Sequence, residues 1–206
     1  MADYEARIAP FINQEFWITS EWWEEPRNHR GLDIATPSSL GNVPLYSMCN
    51  GTIVYNGYDA GGYGNYIIMK DSTTNMGFLY GHLHEPSPLS VGSQVAIGQY
   101  VGLEGTTGSS TGIHLHLEMQ DLTNHDWVYQ APKSYYTNPA TFMGIPNVEG
   151  ISAIYYGIPP TPPTPSITKE KKFPWVLFAN KLRNNEYWQI KHIYDINIIK
   201  GGYVYG

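Results

Sequence analysis

Gly112-Ile113-His114-Leu115-His116, continued by Leu117 and Glu118, reads as a β-strand. Its apolar and polar side chains alternate with period two, so His114, His116 and Glu118 share one face while Leu115 packs on the other. Upstream lie short runs rich in Val, Ile and Tyr, at Gly51 to Tyr55, Tyr66 to Met69 and Gly77 to Tyr80, separated by clusters of Gly, Asn, Asp and Ser. This is a strand-and-turn pattern. With 21 glycines and no long stretch of helical periodicity, the chain is predicted to be mainly β, with an antiparallel sheet core, few helices and long irregular loops.

The 206 residues, 42% hydrophobic and 15% charged, suffice for one well-buried domain and an appendage. A formal net charge of -6 gives no general attraction to nucleic acid or anionic lipid, so neither is expected as a partner. The single cysteine, Cys49, cannot close an internal disulfide and reads as a small buried hydrophobe. Met1 to Phe16, with Asp3, Glu5 and Arg7, lacks the pattern of a secretory signal. The apolar stretch Phe173 to Ala179 contains Pro174 and is far too short for a bilayer core of about 30 Å, so no membrane anchor is expected.

Pro159-Pro160-Thr161-Pro162-Pro163-Thr164-Pro165 cannot donate to a sheet ladder and reads as an extended polyproline spacer. The predicted organisation is a main domain at 1–150, a Pro-rich linker at 151–168 and a C-terminal appendage at 169–206. The appendage, dense in aromatic and β-branched residues such as Trp175, Phe178, Tyr187 and Trp188, is expected to serve docking or assembly.

Four of the seven histidines fall in three compact signatures: His29-Arg30-Gly31-Leu32-Asp33, Tyr80-Gly81-His82-Leu83 and the strand at His114 and His116. Imidazole and carboxylate are zinc ligands, and a catalytic zinc site supplies three protein ligands while leaving one position for water. Two histidines and one aspartate match that need. Each signature alone is weak; their order along the chain carries the weight.

H-x-G-x-D followed by Ala35-Thr36-Pro37, then Y-x-H-L, then T-G-x-H-L-H-x-E resembles the lysostaphin-like, or LytM-type, family of zinc endopeptidases that hydrolyse bacterial peptidoglycan. The resemblance runs from His29 to Glu118; Gly51-Thr52-Ile53-Val54 and Gly62-Tyr63-Gly64-Asn65 look like the turn and strand segments between the first two motifs. It implies a sheet core of that type around a zinc groove, with His29, Asp33 and His116 as metal ligands and His82 and His114 as unliganded catalytic histidines. His114 is then the candidate base and His82 the candidate donor to the oxyanion, with the two roles exchangeable. Glu118, on the face of His114 and His116, is expected to orient a ligand. In several relatives a tyrosine upstream of the first metal histidine offers its hydroxyl to the reacting carbonyl, but here the stretch reads Trp22-Trp23-Glu24-Glu25-Pro26. The tryptophans read either as groove lining or as core or rim packing.

His82-Leu83-His84 is a second H-x-H, but Glu85-Pro86-Ser87-Pro88 follows at once, so His84 is expected at a strand end, exposed or facing substrate. His125 and His192 read as surface residues. The expected function is zinc-dependent cleavage of peptidoglycan peptide cross-links, with a phage delivering the protein to the wall as a tail component or a released endolysin. Its expected partners are wall peptides and phage tail proteins. The competing expectation is a non-cleaving wall-binding or phage assembly protein of the same fold; retention of all five His and Asp positions argues for the enzyme.

Overall fold

The computed structural model describes residues 2–157 other than 38, 39 and 41; the Pro-rich run from Pro159, the expected appendage and His192 lie outside the described residues. The strands are β1 (Tyr4–Glu5), β2 (Phe16–Ser20), β3 (Leu32–Ala35), β4 (Pro44–Tyr46), β5 (Gly51–Asp59), β6 (Gly64–Asp71), β7 (Met76–Leu83), β8 (Gln94–Val95), β9 (Tyr100–Leu103), β10 (Leu115–Asp121) and β11 (Ser152–Ile154). Nine of them form one sheet in the order β1-β11-β2-β3-β10-β7-β6-β5-β8, antiparallel except for the outer pair β1 and β11; β4 and β9 form a separate ribbon. The mainly antiparallel architecture expected from the alternation and turn chemistry is the one observed.

β10 lies near the middle of the sheet and fixes its register. His116 faces Asp33 across β3 and Gly81 across β7. On one face Leu115, Leu117 and Met119 pack with Ile18, Ile34, Phe78, Tyr80, Ile67 and Met69 in a continuous core. Each such burial contributes roughly 1.5–3 kcal/mol, which is why the leucines of the histidine-bearing strand pin its polar side chains to the opposite face. A short helix, α1 (Pro139–Met143), closes the core from below. Asn138 caps it by accepting the Ala140 N–H at 2.9 Å, Gly144 ends it in the left-handed region at φ 77°, and Phe142 meets Phe78 edge-on at 5.4 Å.

The opposite face carries Asp33, His116, Glu118 and Gln120. Gln120 clamps the loop above that face, donating to the Val128 carbonyl at 2.8 Å and accepting the Val128 N–H at 3.1 Å. At the end of β3, the fully buried Glu104 accepts from the Thr36 N–H at 3.0 Å and the Thr36 hydroxyl at 2.5 Å. The Ala35-Thr36-Pro37 segment is therefore a strap that ties the end of β3 to Glu104.

The expected linker start at 151 needs correction. Ser152–Ile154 form β11, paired with β2 and β1, and the Ser152 hydroxyl and amide bond Asp3 at 3.0 and 2.9 Å. The folded body thus extends past 150, because this short segment completes a sheet edge that the proline run downstream had obscured. No helix among the described residues is long and apolar enough to cross a membrane.

Candidate metal centre

His29, Asp33 and His116 offer ligand atoms that all lie within 4.8 Å of one another. Asp33 Oδ1 lies 2.8 Å from His116 Nδ1 and 3.2 Å from His29 Nε2, and the two nitrogens are 3.2 Å apart. The far side of each ring decides what the near side offers. His29 Nδ1 sits 3.0 Å from the Glu21 carbonyl, which can only accept, so this nitrogen carries the proton and Nε2 presents a lone pair. His116 Nε2 donates to Glu118 Oε1 at 3.0 Å, which leaves Nδ1 facing Asp33.

Two imidazole lone pairs and a carboxylate oxygen therefore converge on one point, an arrangement that repels itself unless a cation lies between. His116 is the ring whose protonated form this arrangement favours. Burial favours the neutral ring, but hydrogen bonds to Asp33 and Glu118 outweigh it and push the pKa up to about 10. Asp33 is likewise opposed by burial, yet its bonds with His116 and His29 hold its carboxyl well below the usual range. Nitrogen and carboxylate donors with this spacing suit zinc.

Local backbone explains how the rings meet. A Cβ on Gly31 would lie 2.4 Å from His116 Cε1, so the residue between His29 and Asp33 that faces the ring has to be glycine. We expect Gly31→Ala to cost about 1–3 kcal/mol through overpacking and to push His116 off Asp33; thermal unfolding and metal retention would both register it.

Tyr80 and His82 would share a face in a regular strand, yet Tyr80 is fully buried in the core and its hydroxyl donates to the Tyr46 carbonyl at 3.1 Å. A bulge resolves the conflict: β6 and β7 slip register between Asn65 and Ile67, and His82 adopts φ 59°. Its ring then swings onto the site face, 4.8 Å from the His114 ring and 5.7 Å from the His116 ring by centroids.

His82 Nδ1 lies 2.8 Å from the Thr107 carbonyl and His114 Nδ1 lies 2.9 Å from the Gly112 carbonyl. Both rings therefore carry their proton on Nδ1 and keep a lone pair at Nε2. His114 Nε2 stands 3.7 Å from Asp33 Oδ1. Burial, followed by the charge on His116, pushes His82 down to about 4, so it is neutral near pH 7. A neutral His82 with this tautomer accepts at Nε2; it donates there only after taking up a proton.

Glu118 is where strand alternation put it, and its partner Tyr63 is a residue that sequence reasoning did not single out. The Tyr63 hydroxyl donates to Glu118 Oε1 at 2.9 Å, and burial, then the Glu118 charge, keeps that phenol protonated. The signal was present in Gly62-Tyr63-Gly64-Asn65, whose tight turn brings Tyr63 over β10. Trp22 and Trp23 do not line the cleft. Trp22 packs against the core, Trp23 lies 5.7 Å from the Tyr136 ring, and Lys133 Nζ stacks over both indoles, so the rim-packing reading holds. His84 is exposed just past the end of β7, and His125 stacks on Tyr135 at 4.1 Å, well outside this cluster.

Two cavities of about 410 and 440 Å³ flank the centre and share Asp33 and His114 as lining residues.

The sequence of this cleft is similar to known hydrolases. DD-carboxypeptidase/endopeptidase Mpg of Neisseria meningitidis serogroup B is 36% identical over 115 residues, 56% of this chain and 24% of that protein. Peptidoglycan DD-endopeptidase ShyA of Vibrio cholerae is 35% identical over 92 residues, 44% of this chain and 20% of that protein. The chain thus spans about a quarter or less of the length of these curated relatives. Among solved structures, lysostaphin from Staphylococcus simulans matches with a TM-score of 0.52 at 26% identity, covering 63% of this chain and 49% of that one. The catalytic domain of the prophage-encoded M23 protein EnpA from Enterococcus faecalis matches with a TM-score of 0.51 at 26% identity, covering 66% and 97%. The model of peptidase family M23 matches residues 27–129, half of the chain and the whole of the cluster built from His29 to Glu118. The chain belongs to peptidase family M23.

Proposed function

We propose that this protein is a zinc-dependent endopeptidase that hydrolyses peptide cross-links of bacterial peptidoglycan. The observation that carries the reading is the convergence of His29 Nε2, His116 Nδ1 and Asp33 Oδ1 beside two imidazoles whose Nε2 lone pairs are uncommitted. When bound by those three residues, zinc supplies Lewis-acid stabilisation of the developing oxyanion and lowers the pKa of water towards 7.

The remaining steps belong to the protein. His114 Nε2 takes a proton from the attacking water as its oxygen bonds to the carbonyl carbon, and the carbon–nitrogen bond then breaks as the imidazolium returns that proton to the departing amine. His82, held by Thr107, shares the second proton position; whichever ring is protonated is the one able to donate to the oxyanion. Cavities on both sides of Asp33 and His114 favour cleavage within a chain over removal of a terminal residue.

Delivery to the wall by a phage, as a tail component or a released lysin, belongs to the proposal; the likeness to a prophage-encoded catalytic domain supports it. The region 169–206 would then serve docking or assembly.

The test is chelation and reconstitution on a soluble cross-link peptide. Chelated protein should be inactive, and one equivalent of zinc should restore hydrolysis; full activity after exhaustive chelation would overturn the reading. Glu118→Gln should weaken zinc binding by roughly 10–100-fold, the usual cost of losing an outer partner of a metal-bound imidazole. Tyr63→Phe should have a smaller effect in the same direction, both measured by competition with a chromophoric chelator.

A further inference from the structure

The cleft contains one charged group that the chemistry above does not use. Arg30 lines the same cavity as His29, His82, His114 and His116, and among the described residues it forms no hydrogen bond and no ion pair within 4 Å. Its Nε is sealed from solvent and has no partner. Of the two carboxylates lining this cavity, Asp33 bonds His29 and His116, and Glu118 bonds His116 and Tyr63 through Oε1 while its buried Oε2 has no hydrogen-bond partner; among the described residues neither forms an ion pair with Arg30 within 4 Å. Arg27, at the mouth, is already satisfied by Glu24 Oε2 at 2.6 Å and by the Ser20 hydroxyl.

A partly buried guanidinium without an anion is costly to keep unless something arriving from outside pairs with it. Its planar donor fork matches a carboxylate in two parallel hydrogen bonds, a match that neither an amide nor a backbone carbonyl reproduces. Placement next to His29 fixes the reach, since the group recognised must sit within a residue or so of the bond over the metal centre.

We propose that Arg30 is a specificity residue that grips a free carboxylate beside the scissile bond, so that this enzyme prefers cross-links whose diamino acid keeps its carboxyl over amidated cross-links and over oligoglycine bridges. The inference rests on the peptidoglycan reading and names the chemistry of its substrate. The anion class follows from the fork and from the absence, among the described residues, of any ion pair to Arg30 within 4 Å; the peptide source follows from the position in the groove.

The probes are two synthetic D-alanyl–diamino acid cross-link peptides, identical except that one carries a carboxyl and the other a carboxamide next to the cleaved bond. Binding is measured on the full-length chain by calorimetry, alongside the rate of hydrolysis. Wild type should bind and turn over the acid about 10–100-fold better, the range of a lost charge-assisted bond pair, chiefly through KM. Arg30→Gln should collapse the acid-to-amide ratio to near one, and Arg30→Lys should keep part of it. Because the ratio is internal to each preparation, a reduced folded fraction does not alter it. An equal ratio in wild type and Arg30→Gln, no preference in wild type, or no binding of either peptide would overturn the clamp. Intact acid preference in binding with no hydrolysis of either peptide would instead overturn the enzymatic reading and leave the clamp standing.

Discussion

Asp33→Ala is expected to abolish both metal retention and wall hydrolysis. Asp33 Oδ1 lies within 3.7 Å of three histidines, His29, His114 and His116, and it supplies the only negative charge in the proposed ligand set. Without it two imidazoles remain, too few for a zinc site, which typically takes three protein ligands. The loss should exceed the roughly 10–100-fold penalty for an outer partner, leaving dialysed protein without metal. The fold should survive, because Asp33 faces the cleft while its neighbours Leu32 and Ile34 are fully buried in the core. Elemental analysis together with far-UV circular dichroism separates loss of metal from loss of structure. An Asp33→Ala protein that keeps stoichiometric zinc would remove it from the ligand set.

His114→Ala should give the complementary result: full metal content with kcat lowered by about 10²–10⁴-fold, the usual contribution of a positioned base. The ring is anchored through Nδ1 to Gly112, with a weaker 3.4 Å contact to Ser110, and its Nε2 stands beside Asp33 at a distance too long for a committed bond. Removing it takes away a proton acceptor and leaves the convergent His29, Asp33 and His116 untouched. His82→Ala should also retain zinc, and the double variant should be little worse than the worse single one, because the two rings act on one proton inventory. Equal zinc loss in His114→Ala and Asp33→Ala would mean that the base has been misassigned.

The contrast between these residues also bears on what a sequence can reveal. Alternation through His114, Leu115, His116 and Glu118 placed the three polar groups on one face, because they follow one another along β10 and the bridge residue just before it and period two is a local rule. The H-x-G-x-D pairing was legible for a related reason: Gly31 is required by the His116 ring, so steric need is written into a short motif. His82 reached its position by a different route. Plain alternation would pair it with the buried Tyr80, and only the bulge opposite Tyr66 and a left-handed φ turn it into the site. Bulges depend on the register between two strands and leave little trace in either one.

Long-range contacts were the least legible. Tyr63 and Glu118 are 55 positions apart, Thr36 and Glu104 are 68 apart, and neither pair follows from any local period. The strand Ser152–Ile154 was hidden for the same reason: its three residues gain strand character only by pairing between β2 and β1, both more than 130 positions away in the chain. Arg30 stood in plain view between His29 and Gly31 of the first motif. Its lack of an ion-pair partner among the described residues became visible only in the folded cleft.

The central claim is tested most directly by digesting purified peptidoglycan with the zinc-loaded protein and identifying the released fragments by mass spectrometry. The account predicts new amino and carboxyl termini within the cross-links, intact glycan chains, and no release by His114→Ala. Fragments ending in new reducing sugars, or identical fragments from His114→Ala, would contradict it.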